Sequence, residues 1–330
     1  MKLYHTGLLV SAICALTACG GSDDAAAIKE TGKLSIALSD SPMGNVSAVR
    51  LQLGQLVMTD ANHAEHRYTL QNTLINLLDY QGKASIPLLQ NFDLPVGQYH
   101  NVYLSVMQGD GNNGCYVIDG QGQHALQVED GVIPLPNFTM QRDQTHAYTL
   151  EVSLYQGLQY RQQNGYQLAQ SGIRSVNNLQ MGHLLGDMDP QWIASCEAAN
   201  PNAVAPSGNF VHLAYLYPAT VSAINQMADV STTTPSGMTA PIAVAPLHQD
   251  DDGNWYFGMG YLDEGDYRVG YSCTGYLDDP LTDDVSSGVF NIFADAGSVS
   301  VTAGVGGGSD TYLQCGNIPS GRGHWHGGGG

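Results

Sequence analysis

The sequence predicts an all-β protein built as two Greek-key β-sandwich domains. Three observations point there. Apolar and polar residues alternate with a period of two over a series of short stretches, the pattern of a strand with one buried face. Clusters of Gly, Asn and Asp separate those stretches, as hairpin connections require. The spacing Leu-x-x-Gly-x-Tyr-x-x-x-Tyr occurs twice, at "LPVGQYHNVY" (Leu94 to Tyr103) and at "LDEGDYRVGY" (Leu262 to Tyr271). Composition agrees. Of 330 residues, 43% are hydrophobic and only 12% charged, with 40 Gly and 18 Tyr. That suits an exported β-protein and is too apolar for a disordered chain. The length accommodates two domains, expected at 32–179 and 180–316.

In the first domain, Leu34, Ile36 and Leu38 alternate with Lys33, Ser35 and Ala37, and Asp40 to Pro42 stops the strand. Val49, Leu51, Leu53 and Val57 continue the period. In "YHNVYLSVMQ", Tyr99, Asn101, Tyr103, Ser105 and Met107 are expected to oppose His100, Val102, Leu104 and Val106. In "HAYTLEVSLY", Ala147, Thr149, Glu151 and Ser153 oppose Tyr148, Leu150, Val152 and Leu154. The turns between them are "GDGNNG", "DGQGQ" and "EDGV", where Gly and Asn accept positive φ. "TLINLLDY", Thr73 to Tyr80, reads as a short helix or a strand. In the second domain "CEAANPNAVAPSG", from Cys196, reads as a loop. Strand patterns resume at "FVHLAYLY", "NWYFGMGYL" and "DYRVGYSC".

The doubled spacing is that of a tyrosine corner, in which the Tyr hydroxyl bonds to backbone a few residues upstream. Leu94, Gly97 and Tyr99 form one and Leu262, Gly265 and Tyr267 the other. In each, Leu plugs the core and Gly supplies the turn.

The start of the chain is of a different kind. Leu8 to Ala18 is a compact apolar stretch after the basic Lys2. It is too short to cross a bilayer, which takes about 20 apolar residues, and has the size of a signal-peptide core. It ends in Leu16-Thr17-Ala18-Cys19. This resembles the lipobox of bacterial lipoproteins, which implies a signal peptide at 1–18, cleavage before Cys19 and acylation of Cys19. Gly20 rather than Asp follows, and by the same resemblance that implies the outer membrane of a Gram-negative bacterium, on its periplasmic or its surface side. Several acyl chains on one residue anchor stably where one does not. Residues 19–31 then read as a small, acidic tether.

The net charge is -19, from 11 Lys+Arg against 30 Asp+Glu. Such a field repels phosphate backbones, so no nucleic-acid partner is expected. The expected partners are the membrane, through the acyl anchor, and a glycan or protein of the envelope.

"LSIALSDSP", "NLLDYQG", "LPVGQYHNVYLSV", "HAYTLEVSL" and "GIRSVNNLQMG" stand in the order seen in bacterial lipoproteins with the domain of unknown function numbered 4382. The resemblance covers about residues 30 to 187. Ser39-Asp40-Ser41-Pro42 is its strongest marker, with Ser41 where relatives have Ala. It implies an exported β-sandwich and no chemistry. "GDMDP", "EGDYRVGYSC" and "SVSVTAG" make the second half resemble prealbumin-like and carboxypeptidase-regulatory-like sandwiches, which include starch-binding-like domains.

Six cysteines are present. Cys14 leaves with the leader and Cys19 carries lipid, so Cys115, Cys196, Cys273 and Cys315 are expected to form two disulfides, with three connectivities open. No pair has the C-x-x-C spacing of a zinc site.

No catalytic motif stands out. There is no G-x-S-x-G elbow, Walker loop or dinucleotide fingerprint, and "HAEHR" has the wrong spacing for a zincin. No cofactor is required. Calcium is the ion for which the acidic runs offer ligands: Asp250, Asp252 and Asn254 in "HQDDDGNW", and Asp278, Asp279, Asp283 and Asp284 in "LDDPLTDD". Both runs also read as solvated turns. His324 and His326, in the Gly-rich tail at 317–330, are a candidate transition-metal pair. The reading is therefore a lipid-anchored, non-catalytic envelope protein with a structural, adhesive or ligand-binding role. The alternatives are a carbohydrate-binding module using Trp255, Tyr256, Tyr261 and Tyr276, and a hydrolase built on a pair of close carboxylates.

Overall fold

A computed structural model describes residues 30–41, 46–161, 165–304 and 308–318. Cys19, the signal peptide expected at 1–18, His324 and His326 lie outside the described residues. The chain is all-β, and its strands form two sandwiches in sequence.

The first sandwich opposes two sheets. One runs in the order Ile173–Asn177, Thr145–Ser153, Thr31–Ser41, Ile86–Pro95. Its centre is a parallel pair, from Lys33 opposite Thr145 to Ser41 opposite Ser153. The facing sheet is built on the long strand Val46–Asp60, flanked by Gly97–Val106 and Tyr116–Asp119. Leu34, Ile36 and Leu38 from the first sheet meet Leu51, Leu56, Met58, Val102 and Leu104 from the second. The alternation in the sequence is thus the alternation of core and outer face. "TLINLLDY" is both of its readings in turn, strand Leu74–Asn76 and then a 3-10 turn Leu77–Asp79.

Alternation shifts at bulges, between Leu53 and Leu56 and again near Asn101. Tyr99, Val102 and Leu104 are all buried, although Tyr99 and Val102 should face opposite ways. Asn101 between them has φ 49°, and the ladder slips there, with Thr59 opposite His100 but Val57 opposite Tyr103. A bulge inserts one extra residue and resets the face. Asn tolerates this left-handed conformation better than most residues.

The second sandwich begins at Met181–Met188. That strand lies between Trp255–Asp263 and, in parallel, Asp310–Cys315, with His248–Gln249 at the edge. The opposing sheet is Ala243–Pro246, Leu213–Pro218, Gly265–Ser272, Ala294–Val301. Leu184, Met188, Ala214, Leu216, Phe257 and Val269 fill the space between. Residues read as loop from Cys196 onward belong in part to a helix, Pro190–Ala199. Asp189 caps it, accepting from Gln191 N at 2.8 Å, and Pro190 occupies its first turn. Asp-Pro is a helix-start signal that the sequence does carry.

That helix presents Cys196 to Cys273, and the two form a disulfide. The expected second disulfide does not form. Cys115 is a buried free thiol in the core of the first sandwich, and Cys315 is one in the core of the second. Parity of the count misled because two separately closed cores each hold one thiol as a small apolar side chain.

Both tyrosine-corner hydrogen bonds are present. Tyr99 Oη donates to Pro95 O at 2.9 Å and Tyr267 Oη to Asp263 O at 2.7 Å. Leu94 and Leu262 are fully buried, and Gly97 and Gly265 each open a strand. Tyr99→Phe and Tyr267→Phe should each cost about 1 kcal/mol, the net worth of one such bond. Each loss should fall on the transition of its own sandwich, because the two sites are in separate cores. Urea unfolding of both single variants and the double variant checks this. Unchanged midpoints would contradict it.

The two sandwiches pack directly on each other. Tyr155, from the short helix Leu154–Gly157, joins the second sandwich's cluster of Leu213, Tyr215, Tyr217 and Phe290. Tyr261 Oη donates to Lys83 O at 2.9 Å, and Arg174 Nη1 donates to Tyr261 O at 3.2 Å. Gly260 passes so close that a Cβ there would lie 2.1 Å from Gly82 O.

Candidate metal centre

Strand Leu213–Pro218 is buried on both faces. Ala214 and Leu216 point into the sandwich, while Leu213, Tyr215 and Tyr217 point outward. The outward face is covered by a layer of loops that contributes Val221, Met227, Val230, Phe290 and Ile292. Three carboxylates are enclosed within this layer.

Asp278 follows the 3-10 turn Gly275–Leu277. Its Oδ2 accepts from Tyr215 Oη at 2.7 Å and its Oδ1 from Val230 N at 3.1 Å. Asp229 precedes Val230. Its loop is fixed where Tyr217 Oη donates to Ala228 O at 2.6 Å and Ala228 N donates to Thr239 O. Asp229 Oδ2 accepts from Asp284 N and from Val285 N. Asp284 opens the turn Asp284–Ser287. Its Oδ2 accepts from Asp279 N at 2.8 Å and its Oδ1 from Thr282 Oγ1 at 3.0 Å. Asp229 is 0% exposed, and Asp278 and Asp284 are each 8% exposed. One carboxylate oxygen from each of the three lies within 4.8 Å of the others.

Burial of three like charges is costly unless something neutralises them. Among the described residues, the ion pairs of Lys and Arg do not reach these carboxylates. Burial pushes Asp278 up to about 8, and the charges of Asp229 and Asp284 add to the rise. Burial also raises Asp229. Such a group can hold a shared proton or a hard cation. Its enclosure suits an ion better than the extended substrate of a hydrolase.

The acidic runs therefore divide. Asp278 and Asp284 come together with Asp229, a single acid in a Ser/Thr-rich loop that carries no acidic run to mark it. Asp279 and Asp283 turn to backbone instead. Asp279 Oδ1 accepts from Leu281 N at 3.0 Å, and Asp283 Oδ1 caps the helical turn by accepting from Ser286 N at 2.9 Å. In the other run, Asp250 Oδ1 accepts from Asp252 N and Asn254 N at 3.0 and 2.8 Å, and Asp250 Oδ2 accepts from Asn254 Nδ2 at 2.9 Å. Asp250, Asp252 and Asn254 thus form a self-bonded exposed turn.

The aromatics do not share one face. Trp255 packs inward on His212, with ring centroids 4.8 Å apart, and Tyr261 is buried at the domain contact. Tyr276 is 40% exposed beside the loop layer. Tyr256 alone of the four lies on the outer face of its sheet. There it neighbours His248 at 5.8 Å and stands opposite Asp187, whose next partner across the sheet is Gln314. Tyr312, 60% exposed, lies on the same face.

Solved structures that resemble the chain include a protein of Bacteroides fragilis NCTC 9343 proposed to act in cell adhesion. It is 10% identical, covers 87% of this chain and 94% of that one, and has a TM-score of 0.17, too low to carry an argument. No curated protein matches the chain. The family comparison is specific: residues 31–169, from the first strand through strand Tyr166–Leu168, match the model described as Domain of unknown function (DUF4382).

Proposed function

We propose that the chain is a lipid-anchored, non-catalytic binding module of the bacterial outer membrane. The Leu16-Thr17-Ala18-Cys19 sequence behind a short apolar leader supports the anchor. The direct packing of the two sandwiches supports a stiff module that carries a binding face rather than a hinged enzyme. The observation that carries the binding role is the outer face of the second sandwich, where Tyr256, Tyr312 and His248 lie around Asp187 and Gln314. Exposed rings beside polar groups are what adhesive and ligand-binding surfaces are made of. Protease shaving of intact cells, followed by capture of partners with the wild type and with a Tyr256→Ala/Tyr312→Ala double variant, tests this. The wild type should be shaved, or be membrane-bound on the periplasmic side, and the double variant should lose its partner. Protein found free in the cytoplasm, or equal capture by both forms, would sink the reading.

The same face favours carbohydrate as the ligand class, since tyrosine rings stack on sugars while a carboxylate and an amide bond hydroxyls. A glycan array on which Tyr256→Ala abolishes the hits would support that second reading. An array without hits would count against it.

A further inference from the structure

We propose that Asp229, Asp278 and Asp284 form a binding site for one calcium ion, which pins the loop layer onto the second sandwich. The cluster is not carried by its acidity alone. Asp229 Oδ1 is buried without a hydrogen-bond partner, in a residue with no exposed surface. An ionised oxygen in that state needs a counter-charge, because the protein provides it with no donor. The other oxygens of the group each already accept from a backbone N–H or a hydroxyl, which fixes the carboxylates in place without neutralising them.

The ligand set selects the ion. All three side chains offer hard oxygen and none offers imidazole or thiolate, which excludes a site built for zinc or copper. Calcium binds oxygens at about 2.4 Å, so one ion can span oxygens up to about 4.8 Å apart. One oxygen from each of the three carboxylates lies within that span of the others. Calcium also tolerates six to eight ligands in irregular geometry, so carbonyls and waters can complete the shell. Magnesium demands a tighter octahedron.

The position gives the ion a structural task. Asp229 belongs to the loop held by Tyr217, and Asp278 and Asp284 belong to the segment that follows strand Gly265–Ser272. An ion shared between them joins two loops that otherwise meet through hydrogen bonds. Those loops cover the Tyr215 and Tyr217 face against which Tyr155 of the first sandwich packs. Calcium should thus stiffen the domain contact as well as the loops.

The test is calorimetric titration of the metal-free full chain with Ca²⁺ at pH 8, with melting curves alongside. One saturable Ca²⁺ per chain and a rise in Tm are expected. Asp229→Asn should weaken binding at least tenfold, and Asp250→Asn should leave it unchanged. Absence of saturable binding in the wild type, or wild-type binding by Asp229→Asn, would overturn the proposal. Should Asp229→Asn fail to fold, terbium luminescence decides. Tyr215 donates directly to Asp278, so it should sensitise a bound Tb³⁺, and Tyr215→Phe should cut the emission by at least half. Unchanged emission would place the ion elsewhere and overturn the proposal.

Discussion

Asp278 is expected to withdraw stability from the metal-free protein as pH rises from about 4 to about 8; buried Asp40 acts in the same direction, and the lowered His212 and His248 oppose it. In the native state the Asp278 carboxyl is pushed up to about 8, first by burial and then by Asp229 and Asp284. In the unfolded chain an aspartate ionises near pH 3.9. Between those values the folded state holds one proton more than the unfolded state, so stability falls as pH rises. At about 1.4 kcal/mol per pH unit, the full window carries on the order of 5 kcal/mol. Asp278→Asn removes this dependence and keeps an oxygen to accept from Tyr215. Urea unfolding in EDTA at pH 5 and pH 8 should therefore show the variant losing several kcal/mol less than the wild type across that step. Asp229 and Asp40, raised in the same direction, contribute equally to both proteins, so the difference between the two profiles reports Asp278. Parallel profiles for the two proteins would contradict the burial argument. Saturating calcium should flatten the wild-type profile, since the ion takes the place of the proton.

Removal of the Cys196–Cys273 disulfide should cost about as much. The bond closes a loop of 77 residues, and a loop of that length is worth about 4 kcal/mol through its effect on the unfolded chain. Both cysteines are fully buried between the helix Pro190–Ala199 and the end of strand Gly265–Ser272, so their loss also loosens packing. Cys196→Ala/Cys273→Ala should lower the Tm of the second sandwich by roughly 10 °C. Cys115→Ala should leave that transition unchanged, because Cys115 belongs to the other core. A double variant melting within a degree or two of the wild type would contradict the account. The free thiols give a companion readout. Burial pushes Cys115 up to about 11 and Cys315 up to about 12, so both should resist a thiol reagent until the protein unfolds.

Features encoded by neighbours in the chain were legible in the sequence. The strands at Leu34 to Leu38 and Thr145 to Ser153 follow from alternation, and each tyrosine corner is contained in six residues. The DUF4382 resemblance rested on several such short motifs. Features that need the fold were not legible. Asn101 shifts a whole strand face, yet Asn in a strand pattern announces no bulge. Disulfide parity could not reveal that Cys115 and Cys315 close into different cores. The carboxylate centre is the clearest case. Asp278 and Asp284 were visible as part of an acidic run, but Asp279 and Asp283 beside them cap backbone. Asp229, which completes the group, arrives from another loop and is recognised only by proximity. The helix at Pro190 is a different kind of miss, since Asp189-Pro190 marked its start and the Ala- and Asn-rich residues after it drew the reading toward a loop.

The central claim is that Cys19 ties two packed β-sandwiches to a bacterial membrane. It is tested most directly by the intact mass of the N-terminal peptide from protein extracted from the membrane fraction. The account predicts a peptide that begins at Cys19 and carries the added mass of a diacylglyceryl group and an amide-linked acyl chain, and that shifts to the soluble fraction without lipid in Cys19→Ser. A mature chain that begins elsewhere, or an unmodified Cys19 in the soluble fraction of the wild type, would contradict it.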